Sequence, residues 1–439
     1  MPSIATRGAL SANGFGFGSS SSFKSNNFFG YIDYKGAGNA VTVDNKGAMY
    51  VAGDIYYGGR TYPDRATIKG SEEGTLTWVT AQGDTPLDQA FAITVDLSGN
   101  TYTGGRDQNS LQPYPAIITK RDSSGTVTWC KYFKESTNVN TVYALAIDSS
   151  GNIIATGQAM SSVIMIFSIN TSGTINWQRR LSDAYNNIGN GVAIDSSNNI
   201  YVAGAQTSGA RCGYLIKYNS AGTIQWQIQL TGSSGAQILT GVVVGSDGYI
   251  YVSGQQGDGA GGNKAYVAKF NSTGTIIWQR TLLGSTTTTI AKAITIDSSN
   301  NVYIAGYTVD GPYYLGFIAK YNSSGSITWQ RTITNLNLVQ LNGIVVDKKG
   351  NLLVTGFANF GGALGYTMII DSIPNDGTKT GTINDNGQIF IYAAGSLTDA
   401  AGILTSSAGT LTDATGVLST GNFTSTDTAL STTFNTVII

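Results

Sequence analysis

The chain has 439 residues, 57 of them glycine, with 12% charged residues and a formal net charge of −1; it is too long for one ordinary compact domain and carries about half the ~25% charge usual in soluble domains. Solubility therefore rests on Ser, Thr, Asn and Gly, and the lack of any Lys/Arg cluster excludes nucleic acid and an anionic membrane as expected partners. Histidine is absent, which removes every mechanism that needs an imidazole base, shuttle or metal ligand.

The chain opens on "MPSIATRGALSANGFGFG", which holds no apolar run long enough for a signal-peptide core, and no later segment approaches a membrane span. Residues 1–27 are rich in Gly, Ser and Asn and read as an N-terminal anchoring extension, flexible unless a partner orders it. Next comes "FFGYIDY" (Phe28 to Tyr34), a strand-like segment just upstream of a long internal repeat.

That repeat fills residues 40 to 383. One landmark of each unit is a turn phrase such as "AIDSSGNIIATG", marked by Asp44, Asp96, Asp148, Asp195, Asp297 and Asp347, with Gly245 in the equivalent place of the fifth unit. A second phrase such as "AKYNSSGSITWQR" ends in Trp78, Trp129, Trp177, Trp226, Trp278 and Trp329, at intervals of 51, 48, 49, 52 and 51 residues. Each unit reads as four short strands in two hairpins, because apolar or alternating runs flank turns rich in Asp, Asn, Ser and Gly. No unit has a useful helical period. Four antiparallel strands repeating at ~50 residues predict an all-β fold, a seven-bladed β-propeller of four-stranded antiparallel blades.

The turn aspartates are candidate calcium ligands only at first sight. "DSSGN", "DSSNN", "DLSGN", "DNKGA" and "DKKGN" lack the second carboxylate that a calcium loop wants, so these residues are read as structural caps of their own turns. Cys130 and Cys212 stand a whole repeat apart and read as small packed thiols rather than a disulfide. The pairs Gln178-Arg179, Gln279-Arg280 and Gln330-Arg331 follow tryptophan at one strand position and read as a repeated surface or interblade contact. The variable segments "GDIYYGGRTYPDRA", "GRDQNSLQPYPA" and "GYTVDGPYYLG" put Tyr56, Tyr57, Tyr62, Tyr114, Tyr313 and Tyr314 in loops on one face, where a rigid scaffold usually carries binding. Exposed tyrosines there suit a glycan or protein contact.

The seventh unit reads "TMIIDSIPNDGTKTGTI" and has no tryptophan. A ring must join its ends, so Phe28 to Ile32 is expected to pair with this unit and latch it. Residues 384–439 contain "SLTDAAGIL" and "TLTDATGVL", a 14-residue repeat, and form a Thr/Ser/Gly-rich β extension that cannot bury a core of its own. Docking onto the propeller or onto other copies is the expected solution, with a homo-oligomer as one form of it. The organisation expected is thus 1–27, 28–383 and 384–439.

The spacing in "AKFNSTGTIIW" (Ala268, Gly274, Trp278) and "AKYNSSGSITW" (Ala319, Gly325, Trp329) resembles the tryptophan-docking motif of quinoprotein propellers, and "DSSNNVYIAGYT" resembles the SBBP class of β-propeller repeats. In such propellers the indole is wedged between neighbouring blades, which is the role this resemblance implies for the six tryptophans. "SSGTVTW" departs twice from the Asp-box of sialidase-like propellers, since its Asp is missing and Gly125 stands four residues before Trp129. The opening "ATRGALSANGFGFG" resembles N-terminal anchoring segments of tailed-phage virion proteins. Together these features imply a non-enzymatic bacteriophage virion structural protein, an appendage, fibre or decoration subunit. No catalytic, cofactor or metal residue is assigned. Its expected partners are other virion proteins through the termini and a host-surface glycan or protein through the loops. A bacterial surface or secreted propeller for adhesion or carbohydrate binding is the competing reading.

Overall fold

The computed structural model describes residues 28–438, except 57–60, 84–87, 108–113, 135–138, 160–161, 210, 233–234, 285–287, 336, 362–364, 386–387, 396, 402–404, 409–411, 416–418, 423–426 and 430–433. The anchoring extension 1–27 and Tyr57 lie outside the described residues. Among the described residues every regular element is a strand and there is no helix.

Local chemistry builds the first hairpin of each unit. Asp44 Oδ1 accepts the backbone N–H groups of Lys46 (2.8 Å) and Ala48 (2.9 Å), closing the turn between the inner and second strands. Asp96, Asp148, Asp195 and Asp297 repeat the pattern two and four residues on. The left-handed turn position is held by glycine in some units (Gly151, φ 82°) and by Asn198 (φ 60°) or Asn300 (φ 59°) in others; Asn is the non-glycine residue that tolerates this region best. The second carboxylate oxygen accepts the hydroxyl of a buried tyrosine, Tyr50 at 3.0 Å, Tyr201 at 3.0 Å and Tyr303 at 2.9 Å. Where Gly245 replaces the acid, Asp247 takes over, bonding Tyr251 Oη at 2.8 Å. The aspartates thus cap turns and orient tyrosines. For Asp195 and Asp297 these bonds outweigh burial and hold the carboxyl below its usual range.

Those tyrosines form a bed for the tryptophans. Tyr201 lies 6.2 Å from Trp226, Tyr251 6.1 Å from Trp278 and Tyr303 6.2 Å from Trp329, ring centre to ring centre. Each indole N–H then reaches the next unit: Trp129 donates to Thr171 O (3.0 Å), Trp177 to Ser220 O (3.0 Å), Trp278 to Ser323 O (3.1 Å) and Trp329 to Asn375 O (3.0 Å). Lysines over the same tyrosines share the acceptor, as Lys120 does with Thr171 O and Lys320 with Asn375 O. All six rings are half-buried against the neighbouring unit. Arg280 of the Gln-Arg pairs also crosses a seam, donating to Gly325 O at 2.7 Å.

Among the described residues, backbone pairing groups the strands into seven four-stranded antiparallel units, with inner strands from Gly36–Val43 to Leu338–Val346. Each inner strand contacts the next, and the last contacts the first, which closes the ring. Every inner strand is bulged at one register position. At four of these bulges a side chain bonds a carbonyl of the following unit: Asn39 to Ala90 O, Asn190 to Leu239 O, Thr240 to Ala291 O and Asn342 to Gly38 O. Apolar clusters fill the spaces between successive units. Cys130 and Cys212 are free and buried, packed as small residues.

The latch forms. One strand, Phe28–Val43, serves two units: Phe29, Gly30 and Tyr31 pair with Asp371, Ile370 and Ile369 of the seventh unit, and Gly36 to Val43 pair with Ile55 to Met49 of the first. Extending the first register by one residue sets Phe28 opposite Ser372. Tryptophan holds the same position opposite Lys69, Lys120, Lys217, Lys269 and Lys320 elsewhere.

The C-terminal segment, expected to dock or to oligomerise, joins the blades themselves. Its short strands add a fifth, antiparallel strand to the outer edge of every unit. Gln388–Ala394 joins the sixth unit, Thr398–Ala401 the fifth, Thr405–Ala408 the fourth, Thr412–Thr415 the third, Ser419–Asn422 the second and Asp427–Ala429 the first. Phe434–Ile438 finally pairs with Phe28 to Ile32 at the seventh. The chain therefore girdles the ring against its own order. Its first strand is anchored by buried Phe390 and Tyr392. Tyr392 Oη donates to fully buried Asp371 (2.7 Å), whose other oxygen accepts Lys379 Nζ (2.7 Å). Burial pushes the Asp371 carboxyl up and the Lys379 ammonium down, each opposed by the other's charge. Gln330 ties the next stretch, bonding both the N–H and the carbonyl of Leu397.

Candidate binding site

In a four-stranded meander the two intra-hairpin turns lie at one face, and the loops between second and third strands, with the crossings between units, lie at the other. The capped Asp turns take the first face. The second face carries the variable segments and a cavity of about 530 Å³ lined by residues of the first, second, sixth and seventh units. Ring closure brings these together, since the lining spans Gly36 to Tyr366 along the chain.

Five aromatic side chains form the walls: Tyr56, Tyr307, Tyr314, Phe357 and Tyr366. Tyr307 and Tyr314 lean on each other at 5.4 Å, and Phe357 meets Tyr366 edge to face at 5.6 Å. Tyr366 is 51% exposed and Tyr314 36%, so ring faces remain open to a ligand. Polar groups are few and convergent: Asp54, Gln89 and Gln340. Asp54 accepts the N–H of Ala90 (3.1 Å) on one oxygen and the side-chain amides of Asn39 (3.2 Å) and Gln89 (3.3 Å) on the other. Burial pushes its carboxyl up to about 7, against these bonds and the nearby Arg106 charge. Arg106 Nε holds Gln89 Oε1 at 3.0 Å, which orients the amide toward Asp54. Behind the opposite wall, the Lys292 ammonium lies over the Tyr307 ring, 5.8 Å from its centre, and burial lowers its pKa.

Of the tyrosines singled out in the sequence, Tyr56 and Tyr314 line this cavity. Tyr62 and Tyr313 are exposed on the same face outside the lining, and Tyr114 is half-buried in the second unit. Tyr313 and Tyr314 are not loop residues: the hairpin turns on Gly311 and Pro312 alone, and both tyrosines open the strand Tyr313–Tyr321, paired with Asp310 and Val309. Asp54, Gln89, Tyr307, Phe357 and Tyr366 were not found by sequence reasoning. They sit in or at the ends of strands, and only ring closure makes them neighbours. Among the described residues no cluster of three or more Cys, Asp or Glu is arranged to hold a metal ion.

This architecture defines the chain as a β-propeller. A sequence family described as beta-propeller repeat, SBBP, matches residues 176–205 and 280–313. An uncharacterized WD repeat-containing protein of Acanthamoeba polyphaga mimivirus is 21% identical over 285 residues, covering 61% of this chain and 17% of that protein, so the chain spans about a sixth of the relative's length. Among solved structures, Sqt1 from Chaetomium thermophilum matches 83% of this chain and 99% of its own at 11% identity and a TM-score of 0.45. A gluconolactonase from Xanthomonas campestris matches 78% of this chain and 88% of its own at 14% identity and a TM-score of 0.39.

Proposed function

We propose that the chain is a non-enzymatic binding and assembly platform whose working surface is the loop face of the first, second, sixth and seventh units. The observation that carries this reading is the aromatic-walled cavity. Small-molecule and glycan sites are concave, of about 300–1,000 Å³, mostly apolar, with a few convergent polar groups. The Asp-turn face, by contrast, repeats one capped hairpin around the ring. We place the protein in a bacteriophage virion, as an appendage, fibre or decoration subunit held through its termini. The phage-like first residues and the charge-poor composition support that setting, and partners would be other virion proteins and a host-surface glycan or protein. The cavity serves equally a bacterial surface propeller for adhesion or carbohydrate binding, and fractionation separates the two. Mass spectrometry finding the chain in purified virions supports the phage setting; finding it only in a bacterial outer-surface fraction overturns it. The platform itself is tested by binding of purified chain to host cells: wild-type binding is expected, with loss on Tyr314→Ala and Tyr366→Ala, and binding indifferent to both substitutions overturns it.

A further inference from the structure

We infer that the cavity framed by Tyr56, Tyr314, Phe357 and Tyr366 over Asp54 and Gln89 is a site for an uncharged short oligosaccharide. The inference rests on the platform reading and names its ligand class. Open aromatic faces match the C–H faces of pyranose rings, which lose little on desolvation, while hydroxyl groups need donors and acceptors at the rim and floor. The lining offers both: Gln89 and Gln340 each keep an amide N–H beyond the one given to Asp54 and to Asn342, the Tyr314 and Tyr366 hydroxyls donate and accept, and buried Asp54 holds the Gln89 amide in place.

Other ligand classes fit less well. A purely apolar molecule would strip water from half-buried Gln89 and Gln340 and return no hydrogen bonds. An anion would meet the Asp54 carboxyl and no Lys or Arg among the lining residues. A quaternary ammonium wants free ring faces around it. Here the Tyr307 face is already under the Lys292 ammonium, and Arg106 sits behind Gln89.

The test uses the full chain and defined probes: maltotriose, cellotriose, mannotriose and galactobiose as uncharged sugars, digalacturonate as an acidic one, tetramethylammonium and a tyrosine-rich peptide. Affinities are read by titration calorimetry on wild type, Tyr314→Ala, Tyr366→Ala and, as a control on the far side of the ring, Tyr185→Ala. Tyr366 and Tyr185 are half exposed, so folding should survive, and matching urea midpoints verify it. The inference expects at least one uncharged sugar to bind, with affinity falling about tenfold or more in Tyr314→Ala and Tyr366→Ala and within about twofold of wild type in Tyr185→Ala. Stronger binding of digalacturonate, tetramethylammonium or the peptide overturns the ligand class. No sugar binding while host cells are still bound through the same tyrosines sinks the saccharide assignment and leaves the platform standing. Sugar binding that neither cavity substitution moves sinks the cavity assignment along with the platform's location.

Discussion

Replacing Gly325 by alanine should destabilise the protein through the tryptophan seam. Gly325 holds φ +84°, and a Cβ built there would stand 2.6 Å from Cδ2 and 2.9 Å from Cγ of Trp278. Carbon atoms sit best at about 3.5–4.0 Å, so the indole must retreat by roughly 1 Å. That retreat breaks its N–H bond to Ser323 O, 3.1 Å long. The left-handed backbone costs about 1–2 kcal/mol for alanine, the lost hydrogen bond about 1, and loosened ring packing on Tyr251 and Tyr321 about 1 more. Gly248→Ala supplies the comparison, because Gly248 has φ +75° but nothing within 4 Å of its would-be Cβ; it should lose only the ~1–2 kcal/mol backbone term. Urea unfolding followed by tryptophan fluorescence should therefore place Gly325→Ala about 2 kcal/mol below Gly248→Ala. Equal midpoints for the two variants would show that the indole is not wedged against the neighbouring turn.

The remaining predictions concern buried charge and the C-terminal belt. Lys379→Met leaves the Asp371 carboxylate buried without its 2.7 Å partner and should cost about 3–5 kcal/mol, measured by the same unfolding assay. Tyr392→Phe removes one hydrogen bond to that carboxylate and should cost about 1.5–3 kcal/mol; a change under half of that would show the belt's first strand is not anchored there. Asp54 is protonated in the folded protein over a range where the unfolded chain has released the proton, from pH near 3.8 up to about 7. The native state binds more protons in that window, so this group's contribution to stability falls as pH rises through it, by about 4 kcal/mol in total. Asp54→Asn should flatten the difference between unfolding at pH 5 and pH 8, and an unchanged difference would contradict the shift. A chain ending at residue 387 loses the girdle; amide exchange should quicken at outer-strand residues such as Ile228 to Thr231 and stay slow in inner strands.

The repeat was legible because each unit spends the same residues on the same local problem. An Asp or Asn at a turn closes a hairpin wherever it is placed, so Asp44 and Asn322 announced their structure without reference to anything distant. Trp278 was equally plain, since one large ring per ~50 residues has few uses other than a seam. The belt was not, although its signal is there. Thr398, Thr405, Thr412 and Ser419 open successive strands at seven-residue steps, and the visible 14-residue repeat is two steps long. Strands of three to five residues carry too little pattern to be assigned alone, and their partners lie up to some 410 residues away, as Ile438 does from Phe28. The cavity was half visible for a related reason. Tyr56 and Tyr314 stood out in variable segments, whereas Asp54, Phe357 and Tyr366 look like ordinary strand residues until the first and seventh units meet.

The pairing of Phe28 with Ile438 gives the girdled ring a single point of departure. The two leads of the described residues, Phe28 and Ile438, therefore stand side by side at one point on the rim. Tension between these two leads would unzip one short antiparallel pair bond by bond and leave the remaining blades unloaded.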